Sequence, residues 1–138
     1  MKKHFFKIMI LLIVTIIIVF YLGKRREINN ILSPNNVKVK VLNSHFEFNQ
    51  INKNDTLKHT FYIKNLSNND LIIKNVLSNC GCIIISHFDK APVKQNDTAK
   101  IFVKFIPNKV GKTEKNVVVE ANTSPPFTVL TLKGNVIE

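Results

Sequence analysis

The most constraining feature of this sequence is an alternation of apolar and polar residues that recurs through most of the chain after residue 36. The alternation is clearest in 37–41, 57–64 and 100–105, and the segments 116–120 and 127–133 are predicted to form the last two strands. In one such run, Ile101, Val103 and Phe105 fall on the same side of an extended chain. Such spacing is typical of β-strands with one face in a core and the other in water. Segments rich in Asn, Asp, Gly and Pro separate the runs and favour chain reversals.

We therefore predict an all-β fold, an immunoglobulin-like antiparallel β-sandwich over 37–138 with roughly seven or eight short strands. The chain contains no Trp, so it lacks the widely spaced Cys…Trp…Cys of antibody domains and only the architecture is predicted. Lysines scattered along the strands would protect the exposed sheet edges against pairing with other chains.

A second feature is the uncharged segment at 8–22, which lies between two basic clusters. Residues 5–22 would form about 27 Å of helix, close to the roughly 30 Å of a bilayer core. We predict a transmembrane signal-anchor helix at 5–22, after a short tail at 1–4 and before a linker at 23–36. The alternative is a cleaved secretory signal, but the bulky Phe20-Tyr21-Leu22 at its end disfavours cleavage. The flanking charges nearly balance and do not determine the orientation.

The basic charge of the chain is concentrated beside this segment. Six of the 20 Lys and Arg residues lie in the first 26 positions, and the remaining 14 face all nine acidic residues, so 27–138 carries a net charge of about +5. No cluster of aromatic and basic residues and no nucleic-acid motif accompanies this charge. We therefore predict no nucleic-acid partner.

Both cysteines stand in one tripeptide, Cys80-Gly81-Cys82. On an extended strand their Cα atoms would lie about 6.6 Å apart, near the upper limit of about 6.8 Å for a disulfide. Gly81 permits the bend that a bond would need. Because closing so short a loop adds little stability, a disulfide here would suit exchange better than stapling.

Two other interpretations of the pair remain open. The thiolates could supply half of a zinc or copper site, with His87, His59 or His45 as a further ligand. Alternatively, the sulfurs could pack as small core hydrophobes at a glycine bend. We expect His59 to be a hydrogen-bonded core histidine, and His45 and His87 to be exposed.

No catalytic residues are predicted. The sequence contains no Ser-His-Asp order, paired carboxylates, phosphate-binding loop or HExxH motif. We therefore do not expect an enzyme, and only a redox role of Cys80 and Cys82 would change this. No resident cofactor is predicted, and copper or zinc at the cysteine pair is the alternative.

Several motifs follow one another in a recognisable order after residue 44. They are His45-Phe46-Glu47-Phe48, Asn54-Asp55-Thr56-Leu57, Asn65-Leu66-Ser67-Asn68, Leu71-Ile72-Ile73-Lys74-Asn75-Val76, Cys80-Gly81-Cys82 and Leu132-Lys133-Gly134-Asn135-Val136. Over 44–136 the chain resembles the bacterial family known as domain of unknown function 1573, which is common in Bacteroidetes. It departs from that family at Ile83, where Thr is common, and at 95–97, where Pro-Gly is common. The first departure removes a hydroxyl that catalysis could use, and the second only exchanges turn residues.

The resemblance implies an immunoglobulin-like domain of the cell envelope with no established activity. We expect a single-pass protein of the bacterial inner membrane whose domain faces the periplasm. Its expected function is to bind or scaffold another envelope protein, since sandwiches expose edges and loops. The alternative is a thiol-disulfide exchange or copper-handling accessory protein that uses the Cys-Gly-Cys pair.

Two Asp-Thr-apolar triplets add a further expectation. Asp55-Thr56-Leu57 and Asp97-Thr98-Ala99 resemble the O-glycosylation acceptor of exported Bacteroidetes proteins. The resemblance implies glycans on Thr56 and Thr98. The alternative is that these side chains only cap the backbone amides of turns.

Overall fold

The computed structural model describes residues 2–31 and 36–138 of the chain. Within them, one α-helix, α1 (Lys2–Ile31), is followed by eight β-strands. The strands are β1 (Val39–Val41), β2 (His45–Asn52), β3 (Leu57–Asn65), β4 (Ile73–Ser78), β5 (Ile83–Phe88), β6 (Thr98–Phe105), β7 (Gly111–Ala121) and β8 (Phe127–Ile137). The helix and the strands belong to two separate compact units.

Helix α1 covers the segment that the sequence predicts to cross a membrane. In the part of the chain that the structure describes, no helix combines the length and the apolarity that crossing a bilayer requires. The structure therefore does not support the transmembrane segment predicted at 5–22.

The boundaries of α1 also differ from the predicted tail and linker. The helix begins at Lys2, within the tail predicted at 1–4, and it ends at Ile31. The part of the predicted linker from 23 to 31 is therefore helical, which fits a stretch with neither Pro nor more than one Gly. The rest of that linker up to residue 35 lies outside the described residues.

The strands form two four-stranded sheets. Sheet I has the order β1-β3-β6-β5 and all its pairs are antiparallel. Sheet II has the order β2-β8-β7-β4. In sheet II the β4–β7 and β7–β8 pairs are antiparallel, whereas β2 and β8 run parallel, from His45 opposite Thr131 to Asn52 opposite Ile137.

This architecture confirms the predicted sandwich but not its purely antiparallel pairing. A parallel pair needs a long connection between its strands, which a hairpin cannot supply. Strands β2 and β8 stand far apart in the chain, so the intervening strands provide that connection. Period-two alternation specifies which face of a strand is buried and leaves the direction of its neighbour open.

The core lies between the two sheets and contains the inward side chains that the alternation predicts. Ile101, Val103 and Phe105 of β6 are fully buried, together with Phe61 of β3 and Leu132 of β8. The buried core cluster of the described chain extends from Val37 to Val136. The β unit therefore has a hydrophobic core of its own, made mainly of strand residues.

A buried polar side chain, Asn65, organises the chain where β3 ends. Its Nδ2 donates hydrogen bonds to the carbonyl oxygens of Asn69 at 2.8 Å and Val93 at 2.9 Å. Its Oδ1 accepts a hydrogen bond from the backbone N–H of Ser67 at 2.8 Å. These bonds offset the cost of burying the amide and tie two loops together.

The Cys-Gly-Cys tripeptide lies where the chain crosses from sheet II to sheet I. Strand β4 ends at Ser78 and β5 begins at Ile83. Both are edge strands of their sheets. The loop between them therefore lies at the margin of the sandwich, beside two strands that each have one unpaired edge.

Candidate functional site

Cys80 and Cys82 form a disulfide bond in the loop between β4 and β5. Their Cα atoms are 5.2 Å apart, closer than the roughly 6.6 Å of an extended strand. The chain makes this approach by turning at Gly81, which is exposed. The sequence left open a disulfide, a metal site or buried free thiols, and the structure has the disulfide.

The loop is anchored on both sides of the disulfide. The Ser78 hydroxyl lies within donating distance of the Cys80 carbonyl, at 3.0 Å, and of the Ile83 carbonyl, at 3.2 Å. The N–H of Ile106, just after β6, donates to the Cys82 carbonyl at 2.9 Å. Loop closure of so few residues contributes little by entropy, so these hydrogen bonds are a main source of the loop's order.

The two sulfur-bearing residues differ in their access to solvent. Cys82 is 6% exposed and belongs to the core cluster. Cys80 is partly buried and packs against that core. Because an attacking thiolate must reach a sulfur in line with the bond, attack would occur at the Cys80 sulfur and release the thiolate of Cys82.

His87 does not join the cysteines. It lies on β5, its side chain is 66% exposed, and its Nε2 is 3.8 Å from Asp89 Oδ1. Its ring centroid is 5.9 Å from that of Phe102, on the outer side of sheet I. A zinc or copper site at the cysteine pair would need reduction of the disulfide, since thiolates are the ligands. Among the residues that the structure describes, no group of three or more His, Cys, Asp or Glu could hold a metal ion.

His59 is half-buried near the start of β3 and lacks the hydrogen bond that the sequence predicts. Its ring stacks on Phe46 with centroids 3.7 Å apart and meets Phe61 edge-on at 4.6 Å. Its buried Nε2 has no hydrogen-bond partner among the described residues. Desolvation by burial lowers the pKa of His59 below its ordinary value of 6.5. His45 and His87 are exposed, as predicted.

The two threonines predicted to carry glycans have different surroundings. Thr56 is exposed immediately before β3. Thr98 is half-buried as the first residue of β6, opposite Lys64 of β3. Glycosylation of Thr56 and Thr98 stays a prediction, and Thr56 is the more accessible acceptor.

The outer face of sheet II carries four apolar side chains that we call the apolar patch: Leu77, Val118, Phe127 and Val129. Leu77 of β4 lies opposite Val118 of β7, which in turn lies opposite Val129 of β8. Leu77 is 56% exposed, Phe127 57% and Val129 51%. Val118 is half-buried between the buried Val117 and Val119, so it points away from the core.

Reading the sequence by alternation missed the apolar patch. Alternation identifies a strand by its polar face, yet Val117-Val118-Val119 and Val129-Leu130 are consecutive apolar residues. Such runs place apolar side chains on both faces of a strand. Within residues 36–138 the strands form two sheets, and the outward Leu77, Phe127 and Val129 of sheet II are each more than half exposed.

Solved structures support the sandwich fold. A protein of unknown function from Porphyromonas gingivalis W83 is 11% identical, with a TM-score of 0.62 over 72% of this chain and 47% of its own. The ASH/PapD-like domain of human CEP192 (PapD-like domain 7) is 16% identical, with a TM-score of 0.61 over 77% of this chain and 89% of its own. The secreted serine protease VesC from Vibrio cholerae is 6% identical, with a TM-score of 0.58 over 75% of this chain and 23% of its own.

These likenesses concern the fold alone, and the chain spans 47% of the length of the P. gingivalis protein. No curated protein matches the chain. The model of a family described as Protein of unknown function (DUF1573) matches residues 39–136. This match covers nearly the whole β unit, and it confirms the resemblance carried by the motifs after residue 44. The chain belongs to the DUF1573 family.

Proposed function

We propose that this protein is a non-catalytic binding domain of the cell envelope that holds another envelope protein on the outer face of sheet II. The observation that carries the proposal is the apolar patch, whose members Leu77, Phe127 and Val129 are each more than half exposed. Contiguous exposed apolar side chains on a soluble domain mark interaction sites more often than isolated ones do.

The surroundings of the patch also suit a protein interface. On the same strands, Asn75 lies opposite Glu120, and Asn116 lies two residues before Val118. These polar residues border the apolar side chains on the same sheet face. An apolar centre with a polar rim is the usual arrangement of a protein–protein interface.

Two features support a location outside the cytoplasm. Disulfides persist in oxidising compartments such as the periplasm and are rare in the cytosol, and this chain contains one between Cys80 and Cys82. The uncharged run at 8–22 between basic clusters suits an export signal. Attachment to the inner membrane through 5–22 stays a prediction from the sequence, which carbonate extraction of native membranes checks.

Site-specific crosslinking tests the proposed interface. A photo-reactive amino acid at Val129 in the full chain should capture one discrete protein in intact cells. The same amino acid at Thr60, on the outer face of sheet I, is the matched control and should not capture that protein. Equal capture from both positions, or no discrete product from Val129 when the variant is folded and exported, would contradict the proposal.

Substitutions add a second criterion. Leu77→Lys places a charge in the patch, on the edge strand β4, and should abolish the crosslink formed from Val129. Ile84→Lys introduces the same charge at a residue that is 45% exposed on sheet I, and it should leave the crosslink intact. Retention of the crosslink in Leu77→Lys would exclude the patch as the interface.

Thiol-disulfide exchange is a second candidate function, favoured by the unequal burial of the two cysteines. A partly exposed Cys80 beside a buried Cys82 allows attack on one sulfur and release of the other. In this candidate, Cys82→Ser would leave Cys80 free to form a trapped mixed disulfide with its partner in vivo. Cys80→Ser is the matched control, and absence of any mixed disulfide in both variants would remove this candidate.

A further inference from the structure

The two sheets differ in the charges on their strands. The strands of sheet I carry lysines at five positions and contain neither Asp nor Glu. The lysines are Lys40 of β1, Lys58 and Lys64 of β3, and Lys100 and Lys104 of β6. The strands of sheet II mix four lysines with the three acidic residues Glu47, Glu114 and Glu120.

The five lysines of sheet I lie on one surface, which we call the lysine face. On β6, Lys100 and Lys104 alternate with the buried Ile101, Val103 and Phe105 and therefore point away from the core. The lysines of β3 alternate in the same way with buried Phe61 and Ile63, and Lys40 is exposed on β1. The lysine face is thus the outer surface of sheet I, on the far side of the sandwich from the apolar patch.

The register places like charges directly opposite one another on this face. Lys40 lies opposite Lys64, and Lys58 lies opposite Lys104. Like charges at directly opposed positions destabilise a sheet. None of the five lysines has an ion pair with another described residue. The repulsion within these two lysine pairs therefore lowers the stability of the sheet, and a bound anion would reduce it.

Apolar and aromatic side chains stand among the lysines. Phe102, 37% exposed, lies opposite Thr60, and Tyr62 lies opposite Lys100. Ile84, 45% exposed, lies opposite Lys104. A shallow groove of about 620 Å³ runs among them, with Lys58, Tyr62, Ser86, His87, Phe102 and Lys104 in its walls. The face thus offers several cationic groups around a small apolar centre.

The kind of cation on this face narrows the choice of partner. The chain has no Arg after Arg26, whereas protein–protein interfaces are enriched in Arg and depleted in Lys. Lysines near a membrane attract anionic headgroups as point charges and lay their methylenes along apolar surface. The amphipathic ring of Tyr62 favours the headgroup region, and an apolar ring such as that of Phe102 enters the boundary between headgroups and acyl chains.

We infer that the lysine face docks on the surface of an anionic lipid bilayer, with the lysine ammonium groups at the lipid phosphates and the Phe102 ring at the level of the headgroups. This inference concerns the sheet opposite the apolar patch. It therefore stands or falls independently of the proposed protein partner.

Vesicle binding tests the inference on the fragment 36–138, which keeps the whole buried core of the described chain and lacks the apolar segment at 8–22. The probe is a vesicle of phosphatidylcholine containing about a third phosphatidylglycerol, since the attraction is electrostatic. The fragment should co-sediment with these vesicles at low salt. It should be released at about 1 M salt, because the Debye length there is only about 3 Å and the electrostatic attraction is screened. Pure phosphatidylcholine vesicles should bind much more weakly.

Two triple variants with the same change in net charge provide the decisive comparison. One carries Lys58→Gln, Lys100→Gln and Lys104→Gln on the lysine face. The other carries Lys74→Gln, Lys112→Gln and Lys133→Gln on the exposed positions of sheet II. At about fivefold in affinity per lysine, the first should lose about 100-fold in vesicle affinity, and the second should lose less than about tenfold.

Several results would overturn the inference while the circular dichroism spectrum shows a folded fragment. They are absence of binding to the anionic vesicles, equal losses in the two triple variants, and equal affinity for zwitterionic vesicles. Soluble polyphosphate distinguishes the source of the phosphate. Tighter binding of the fragment to polyphosphate than to the anionic vesicles, at equal phosphate concentration, would show that the lysine face recognises free phosphate chains and not a bilayer.

Discussion

At the scale of single residues, Gly134 of β8 shows how closely the inner face of sheet II is packed. A Cβ at this position would overlap Cδ2, Cε2 and Cγ of the buried Phe48 ring. The clash involves the body of the ring, which cannot swing aside as the end of a flexible side chain does. The glycine in Leu132-Lys133-Gly134 is therefore explained by the aromatic ring that covers its backbone.

Gly134→Ala should lower the free energy of unfolding by about 1–3 kcal/mol, the usual cost of overpacking a core. Gly81→Ala is the matched control, because no atom lies within 4 Å of a Cβ added there and its φ is not in the left-handed region. Urea unfolding of both variants measures the difference. Equal stabilities would show that the Phe48 ring moves without cost.

His59 should make the stability of the folded protein depend on pH. Its folded-state pKa is lowered by burial between Phe46 and Phe61, whereas an unfolded histidine has a pKa of about 6.5. As the pH falls through about 6.5, the unfolded chain takes up a proton that the folded chain does not, so stability falls. The loss ends once the pH is below the folded pKa.

Denaturant unfolding between about pH 7.5 and pH 5 measures this effect against the ordinary titration range of histidine. His59→Phe should flatten the part of the pH dependence that lies below neutrality. His87→Gln, which removes an exposed histidine of the same protein, is the comparison variant. An unaltered slope in His59→Phe would assign the pH dependence to other groups.

At the scale of strands, the opposed lysines of β3 and β6 connect stability to binding. Lys58→Glu converts a repulsive pair with Lys104 into an attractive one. The unfolding free energy should rise by about 0.5–1 kcal/mol at low salt, with less gain at high salt. Vesicle affinity should fall at the same time, because the lysine face loses two units of charge.

Lys58→Gln is the intermediate control for this substitution, since it removes the repulsion without adding attraction. At low salt, Lys58→Glu should be the most stable, Lys58→Gln intermediate and the natural protein the least stable. Urea unfolding at two salt concentrations measures it. If Lys58→Glu is no more stable than the natural protein, the pair with Lys104 carries no repulsion, and the cost assigned to the lysine face is absent.

The strands also show what the sequence could predict. Alternation located most strands and the inward residues of β3 and β6, because each strand's own pattern records which face is buried. It could not predict the parallel pairing of β2 with β8, since no hairpin fixes a partner so distant in the chain. It also missed the outward Val118 and Val129, because consecutive apolar residues leave no polar face to identify.

The state of the two cysteines in the Cys-Gly-Cys loop could not be predicted from the sequence, for a different reason. Its spacing allowed a disulfide, a metal site or buried thiols, because local geometry alone satisfies all three. The bond forms where the chain turns at Gly81 between two edge strands. That crossing is a property of the sandwich topology and does not appear in the sequence pattern.

At the scale of the whole molecule, the two sheet faces carry different chemistry on opposite sides of one core. The apolar patch of sheet II and the lysine face of sheet I share no residue and lie on strands of different sheets. A domain built in this way can lie on an anionic surface with one face while the other remains free for a protein partner. Distant sites of this kind contribute independently to binding.

This arrangement predicts a double dissociation between two substitutions. Leu77→Lys should abolish capture of the protein partner by the patch and leave vesicle affinity unchanged within about twofold. The triple Lys58→Gln, Lys100→Gln and Lys104→Gln should reduce vesicle affinity and leave partner capture unchanged. Crosslinking from Val129 and vesicle co-sedimentation, carried out on the same set of variants, measure both. Loss of both activities in either variant, with the fold intact, would mean that one surface serves both ligands and that the sandwich does not present two independent faces.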